Sequence, residues 1–334
     1  MGSAVINPAL FIVGCPRSGT TLLQRMLDAH PRIAIIDETH WFVTWYEKRY
    51  GVTPEGFVLP ELVSRLLGKK KQSAIFRDVD LQIRPEDLYD LVGPGREILF
   101  PDFVSVLFNR YGEAQGKSLV GTKNPDYVRK LRTLHSLWPQ AKFIHIIRDG
   151  RDVGLSIMSQ RRAKGEARKK PGGRLATWDE DPVTTAALWW EWHVRLGREA
   201  GSALDPELYY EICYEAMVAR PGAECGALCA FLDVPYDKAM LRFNEGRERG
   251  DAAGLDAKHA WRPITPGLRD WGSQMPREDV ERFEAAAGGL LDELGYSRGA
   301  QGLSPEALQH ADRLRRLFER RPLPGHWGAS GPGS

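Results

Sequence analysis

The fold is decided by residues 10–27, which read LFIVGCPRSGTTLLQRML. The apolar run at the front predicts a short buried strand, Leu10–Gly14, and the apolar stripe behind it predicts a helix, Thr20–Ala29. A loop that joins a strand to a helix in this way presents unpaired backbone N–H groups and the positive end of the helix dipole. The stretch therefore predicts a binding loop for a phosphate or a sulfate group.

The side chains of the loop narrow the choice of anion. Its two glycines have the spacing of a Walker A loop, but Thr20 stands where a nucleoside triphosphatase has lysine. The cation of this loop lies earlier, at Arg17, and Ser18 and Thr21 add hydroxyl donors. This pattern favours a single tetrahedral anion over the β- and γ-phosphates of ATP with magnesium.

Composition excludes several classes of protein. The chain has 334 residues, 42% of them hydrophobic, and a net charge of +2, so no overall positive field favours nucleic acid. The four cysteines match neither a disulfide framework nor a zinc pattern. Because the chain has no apolar run of about 18 residues and no signal-peptide pattern at its start, we expect a cytoplasmic protein without a membrane span.

Short apolar strands alternate with amphipathic helices along the chain, which predicts an α/β fold. The expected architecture is a P-loop-like central parallel β-sheet flanked by helices on both faces. The predicted strands are Leu10–Gly14, Ile33–Ile36, Ser118–Gly121, Lys142–Ile147 and Leu208–Cys213. We expect one domain over residues 1–298, with a helical insertion at 46–99 above the acceptor site, and a C-terminal helix and disordered tail over 299–334.

A second strand–loop–helix follows the fourth predicted strand. Arg148 stands at the end of that strand, and Ser156 lies in the helix behind it. A guanidinium and a hydroxyl that converge on one point suit a phosphate monoester. An ion pair between Arg148 and Asp152 would explain the same residues without a ligand, and the sequence leaves both interpretations open.

Two anion sites at one sheet edge fit a nucleotide that carries two separated anionic groups. ATP does not have that shape, whereas 3′-phosphoadenosine 5′-phosphosulfate (PAPS) does. The basic segment Arg161–Arg174 follows the second site. It is either a solvated loop or a positively charged surface that attracts an anionic second substrate, the acceptor.

Both motifs resemble those of PAPS-dependent sulfotransferases. Pro16–Leu22 is similar to the 5′-phosphosulfate loop of that family, and Arg148 with Ser156 is similar to its 3′-phosphate motif. The resemblance implies PAPS as the cosubstrate, its bisphosphate PAP as a product, and no metal. The nucleotide-binding residues that it implies are Pro16, Arg17, Ser18, Gly19, Thr20, Thr21, Arg148, Ser156, Tyr214 and Arg262.

The first loop, with its arginine, resembles that of the bacterial and tyrosylprotein branches of the family. The cytosolic type has lysine at that position. In the tyrosylprotein branch a Glu-Thr pair follows that arginine by 21 positions and provides the base, and Glu38 stands at that spacing. The same branch has a Lys-x-Pro segment near the sulfate, which Lys123 matches. His40 is the rival base, because other branches use histidine.

Two further matches are looser, and one position departs from the family pattern. Tyr214 resembles the family's tyrosine near the adenine, and Arg262 resembles a late basic loop that closes on the nucleotide. Gln160 stands where the family often has another arginine, so the third phosphate contact is open.

The resemblance implies an in-line transfer of a sulfuryl group to an acceptor hydroxyl, with the acceptor unidentified. Arg17 and Lys123 would stabilise charge on the leaving group, and Glu38 would take the proton of the acceptor. We expect partial burial to raise the pKa of Glu38. The alternatives are a P-loop kinase of small molecules and a nucleotide-binding protein of the same fold without activity.

Overall fold

A computed structural model gives the structure of residues 10–68, 84–163, 177–245, 263–265, 267 and 269–320, with the backbone alone for 160–163. By internal contacts the chain divides into two compact units. The first comprises Met1–Ile147 with Gly197–Thr265, and the second comprises Arg148–Leu196 with Pro266–Ser334. The predicted single domain over residues 1–298 and the predicted role of residues 46–99 above the acceptor stay predictions.

Five parallel strands form the sheet of the first unit, in the order β2-β3-β1-β4-β5. They are β1 Leu10–Gly14, β2 Ile33–Asp37, β3 Leu119–Lys123, β4 Lys142–Ile147 and β5 Tyr209–Cys213. Every strand expected from the sequence is present, with ends displaced by two residues at most. The predicted α/β fold with a central parallel sheet is therefore confirmed.

Strand β1 shows why the strands of this sheet are apolar throughout. Leu10 and Ile12 belong to the core on one face, and Phe11 and Val13 belong to the core on the other. All four are completely buried. A parallel sheet covered on both faces needs such continuous apolar strands, because neither set of side chains meets water.

Helices supply both covering layers of the first unit. Its α-helices are Thr20–Asp28, Trp41–Glu47, Pro60–Gly68, Pro85–Asp90, Phe100–Ala114, Leu131–Leu137, Tyr214–Ala219 and Pro221–Phe231. Its short 3-10 helices are Pro125–Lys130 and Lys238–Leu241. The 3-10 helix Pro125–Lys130 is separate from the α-helix that follows it, and its first turn is capped by the side chain of Asn124.

The strand register brings the ends of three strands together. Lys123, the last residue of β3, is level with Ile12 of β1 on one side and with Asp37 of β2 on the other. The loop after β1 and the segment after β2 therefore begin on either side of Lys123. Ligands of open parallel sheets bind at this carboxyl edge.

The second unit is helical and contains a buried charged network. Its helices are Gly150–Ala163, Thr177–Glu180, most of Pro182–Gly201, Trp271–Gln274, Arg277–Glu293 and Pro305–Glu319. Arg151 is almost completely buried and donates hydrogen bonds to Asp149 and, at 2.7 Å, to Glu284. The ring of Trp271 lies 3.5 Å from its guanidinium carbon. Both carboxylates and the stacked ring therefore compensate the buried charge of Arg151.

A histidine, a tryptophan and two cysteines are buried in the core. His145 is completely buried in β4, its Nδ1 lies 2.7 Å from the hydroxyl of Tyr209, and burial lowers its pKa to about 3. Trp190 is also completely buried. Cys225 and Cys229 are buried free thiols.

Several predicted features lie outside the described residues. They are Arg262, the side chains of the basic segment Arg161–Arg174, and the tail after residue 320. Within the described ranges, no helix has both the length and the apolar composition needed to cross a membrane.

Candidate active site

The loop after β1 has the backbone of an anion-binding turn. Arg17 and Gly19 adopt positive φ angles of 80° and 94° on either side of Ser18. Positive φ at a non-glycine residue costs about 1–3 kcal/mol and is found mainly at functional sites. Turns of this kind point successive N–H groups toward one place. The backbone of the loop is therefore compatible with the anion-binding role predicted from the sequence.

Polar groups in the loop are arranged to receive an anion. Ser18 is completely buried, and its Oγ has no hydrogen-bond partner among the described residues. The helix that follows begins at Thr20 without a side-chain cap and without an acidic residue in its first turn. Arg17 is exposed at the surface of the loop. A tetrahedral anion would satisfy the Ser18 hydroxyl and the helix N-terminus together.

Other residues predicted for the nucleotide pack around this loop. Thr20 is buried, and Pro16 and Thr21 are half-buried. Tyr214, the residue directly after β5, packs against Gly19 so closely that a Cβ there would lie 2.4 Å from its ring. The structure thus brings the tyrosine predicted to lie near the adenine to the loop predicted to hold the phosphosulfate.

Replacing Gly19 with alanine should weaken nucleotide binding about tenfold or more. The added methyl group meets the Tyr214 ring at 2.4 and 2.7 Å, and φ of 94° is strained for alanine. Overpacking of this kind costs about 1–3 kcal/mol. Isothermal titration calorimetry with adenosine 3′,5′-bisphosphate measures the effect. The control is Gly226→Ala, since a Cβ at that helical position meets nothing within 4 Å. Equal affinities for the two variants would contradict the prediction.

A buried lysine between two carboxylates lies at the ends of β2 and β3. Lys123 is completely buried, and its Nζ lies 2.5 Å from Asp37 Oδ1 and 2.6 Å from Glu38 Oε1. The side chains of Asp37 and Glu38 are 29% and 33% exposed. The ammonium group stabilises negative charge on Glu38, while the partial exposure leaves that carboxylate accessible to a substrate. The predicted pair of Glu38 and Lys123 is therefore in direct contact.

His40 joins the same cluster. Its Nε2 lies 3.2 Å from Glu38 Oε2, and its Nδ1 lies 3.0 Å from the side-chain nitrogen of Asn124. Behind them, Thr39 and Thr122 are buried with their hydroxyl oxygens 2.9 Å apart. The segment that carries Glu38 and His40 is thus hydrogen-bonded to β3 through Thr39.

Two members of this cluster were not predicted from the sequence. Asp37 and Asn124 each stand next to a predicted site residue, Glu38 and Lys123, but nothing in their own pattern marks them. The order of strands would have found Asp37, because pairing of β2 with β3 puts it level with Lys123. Asn124 is identifiable only as the cap of the turn at Pro125, where its Oδ1 accepts from the Asp126 N–H.

In the second unit, Arg148 is buried and donates a hydrogen bond of 3.0 Å to Asp152. The ion pair that the sequence left open is thus present. Burial raises the pKa of Asp152, although Arg148 opposes the shift. Ser156 is buried in the helix Gly150–Ala163. The contact of Arg148 and Ser156 with a 3′-phosphate stays a prediction, and Arg262 lies outside the described residues.

In the part of the chain that the structure describes, no three His, Cys, Asp or Glu side chains are grouped so that they could hold a metal ion. The chemistry of the cluster around Lys123 is that of a proton acceptor held beside a cation.

Sequence comparison relates the chain to sulfotransferases. Residues 8–238 match the model of the Sulfotransferase family. Protein-tyrosine sulfotransferase 1 of Danio rerio is 26% identical over 328 residues, which cover 94% of this chain and 80% of the relative. The human protein of the same name is 27% identical over 300 residues, which cover 86% of this chain and 70% of the human protein.

Solved structures share the fold. The sulfotransferase domain from the curacin biosynthetic pathway superposes with a TM-score of 0.56 at 21% identity, covering 87% of this chain and 98% of that domain. The sulfotransferase domain of the Synechococcus PCC 7002 olefin synthase superposes with a TM-score of 0.53 at 22% identity, covering 94% of this chain and 95% of that domain. With the match over residues 8–238, the chain belongs to the Sulfotransferase family.

Proposed function

We propose that this sulfotransferase takes its sulfuryl group from PAPS and transfers it to a hydroxyl group, with Glu38 as the base. One observation carries the proposal. The anion-binding loop after β1 and the pair of Glu38 with Lys123 begin at neighbouring strand ends of one sheet. A site for an anionic donor and a site for proton removal therefore belong to the same sheet edge.

The loop fits the phosphosulfate end of such a donor. The buried Ser18 hydroxyl, which lacks a described partner, and the uncapped helix N-terminus at Thr20 are both donors. Close packing of the Tyr214 ring on Gly19 provides an aromatic surface beside them. For the 3′-phosphate, Arg148 and Ser156 are proposed from the sequence motif.

The reaction assigns a task to each side chain of the cluster. When bound, PAPS supplies the sulfuryl group and leaves as adenosine 3′,5′-bisphosphate. Glu38 takes the proton of the acceptor hydroxyl as the oxygen bonds to sulfur, and general-base catalysis of this kind contributes about 10²- to 10⁴-fold. Lys123 pairs with Glu38 and holds its carboxylate in place, and Arg17 stabilises the anion at the loop. These assignments make no use of a metal ion.

For the acceptor, we propose the phenol of a protein tyrosine as the first candidate. Two relatives that cover most of this chain are named protein-tyrosine sulfotransferases. The Glu-Thr pair at Glu38 and the Lys-x-Pro segment at Lys123 are the motifs that resemble that branch. A sugar, a lipid or a carrier-bound hydroxyl would use the same base and the same loop.

Binding and transfer assays test the proposal. Calorimetry in EDTA-containing buffer should show tight binding of adenosine 3′,5′-bisphosphate, and ATP with magnesium should bind much more weakly. Transfer of label from ³⁵S-PAPS is then measured with a tyrosine peptide, a phenol, a monosaccharide and a lipid alcohol. Magnesium-dependent ATP binding without binding of the bisphosphate would refute the donor, and bisphosphate binding without transfer to any acceptor would favour a protein without activity.

A further inference from the structure

A chain of hydrogen bonds leads from the backbone to the proposed base. The N–H of Asp126 donates to Asn124 Oδ1 at 3.2 Å. Because a backbone N–H only donates, the oxygen of the amide must face it. The amide nitrogen of Asn124 therefore faces the other way, toward His40 Nδ1, at 3.0 Å.

This orientation determines where the imidazole carries its proton. The amide nitrogen of Asn124 is a donor only, so His40 Nδ1 must accept and cannot carry hydrogen. In the neutral ring the proton is then on Nε2, which lies 3.2 Å from Glu38 Oε2. A carboxylate oxygen is an acceptor, so every hydrogen bond of the chain has one donor and one acceptor.

Burial differs along the chain in a way that suits positioning. Asn124 is completely buried, whereas the side chain of His40 is 58% exposed and that of Glu38 is 33% exposed. The end of the chain at Asn124 is thus inside the protein, and the end at His40 and Glu38 is partly exposed to solvent. Lys123 holds the second oxygen of Glu38, Oε1, at 2.6 Å. A protein nitrogen therefore lies within hydrogen-bonding distance of each oxygen of the carboxylate.

We propose that His40 is a positioning residue whose tautomer is set by Asn124 and whose Nε2–H orients Glu38. The inference rests on the proposed function of Glu38 as the base. In the Nε2–H tautomer the basic nitrogen is Nδ1, and Asn124 occupies it. His40 therefore does not take the proton of the acceptor, and the rivalry between the two candidate bases is resolved in favour of Glu38.

Two substitutions of His40 separate positioning from proton transfer. The amide nitrogen of His40→Gln extends about as far as Nε2 and still donates, whereas His40→Asn is too short to reach Glu38. We expect His40→Asn to lower kcat about threefold to tenfold with an unchanged KM for PAPS, and His40→Gln to recover most of that loss. If His40 were the base, kcat of both variants would fall by about 100-fold or more, because neither amide accepts a proton. That result would refute the inference.

A substitution of Asn124 tests the tautomer directly. Asn124→Asp keeps an oxygen for the Asp126 N–H, but its other oxygen accepts from Nδ1–H of His40. Nε2 then carries a proton only in the imidazolium form. The other charged groups of the cluster, Glu38, Lys123 and Asp37, are unchanged.

We expect kcat of the Asn124→Asp variant to fall about threefold to tenfold as rising pH removes the second ring proton and leaves Nε2 without hydrogen. The wild type should lack this decrease, since its Nε2 carries hydrogen in both protonation states. Identical pH profiles would refute the role of Asn124. Nitrogen NMR of the wild type gives a second readout that does not depend on activity, and a neutral His40 with hydrogen on Nδ1 would also refute it.

The outcomes distinguish this inference from the proposed function. A large loss of kcat in Glu38→Gln together with full activity in His40→Asn refutes the positioning role alone. Full activity in Glu38→Gln refutes the proposed base and the inference with it. Thermal unfolding and bisphosphate binding of each variant confirm that the fold and the loop are intact.

Discussion

Replacing Glu38 with glutamine should lower kcat by about 10²- to 10⁴-fold and leave the affinity for adenosine 3′,5′-bisphosphate nearly unchanged. Glutamine has the size of glutamate, and its oxygen still accepts from Lys123, whose Nζ lies 2.6 Å from Glu38 Oε1 in the native protein. What the variant loses is the capacity to accept a proton. Steady-state kinetics at saturating PAPS measure kcat, and calorimetry measures the binding of the bisphosphate.

Glu47 provides a matched control for this experiment. Its carboxylate is also paired with a lysine, Lys130, at 2.8 Å, and its exposed fraction of 32% is close to the 33% of Glu38. Glu47→Gln removes the same charge from a similar ion pair away from the strand end, so kcat should stay within about twofold. Equal losses in the two variants would mean that general damage, and not the missing base, explains the result.

Replacing Lys123 with methionine should destabilise the protein by about 2–3 kcal/mol and also lower kcat strongly. Removing one partner of a fully buried ion pair costs about 3–5 kcal/mol, because the remaining charge stays buried without compensation. Here Lys123 is completely buried, while Asp37 and Glu38 are 29% and 33% exposed and keep some contact with water. That contact reduces the expected cost. Urea-induced unfolding measures the change in the free energy of unfolding.

Two companion variants make the stability experiment specific. Lys130→Met removes a lysine that is 18% exposed and pairs with Glu47, and surface pairs of this kind contribute about 0–1 kcal/mol. Adding Asp37→Asn to Lys123→Met removes one of the two carboxylates that repel each other, so part of the lost stability should return. A loss no larger for Lys123→Met than for Lys130→Met would contradict the buried bridge.

The sheet could be predicted from the sequence because its strands are buried on both faces. Leu10–Val13 and Phe143–Ile147 are short and largely apolar, and few other stretches of the chain share that composition. The loop at Arg17 was predictable as well, since its glycines and hydroxyl residues stand between such a strand and an amphipathic helix. These features are local, and local patterns are what a single sequence records best.

Strand order is not a local property of the sequence. The prediction of the site was therefore incomplete where the site depends on strand order. Lys123 and Glu38 were predicted from motifs, but their contact follows from the pairing of β2 with β3. The same pairing brings in Asp37, which no motif marks. The same contact puts the Lys123 ammonium group 2.6 Å from Glu38, and the rise in the pKa of Glu38 expected from burial stays a prediction.

His40 illustrates a limit of a different kind. The sequence places an imidazole two residues from a carboxylate and leaves both as candidate bases. The choice between them depends on which way the Asn124 amide faces, and that orientation depends on one backbone N–H, at Asp126. Spacing in the sequence does not record the direction of a hydrogen bond, so the proposed positioning role of His40 could not be inferred from the sequence.

The central position of β1 has a consequence for synthesis on the ribosome. Leu10 pairs with Gly121 on one side and with Lys142 on the other, so this strand has no partner in its sheet until more than one hundred further residues have been added. At about 5–20 residues per second the nascent chain then exposes its most apolar segment for several seconds. We expect truncated chains that end before β3 to require a chaperone to remain in solution, and chains that include β4 and β5 to depend on it much less.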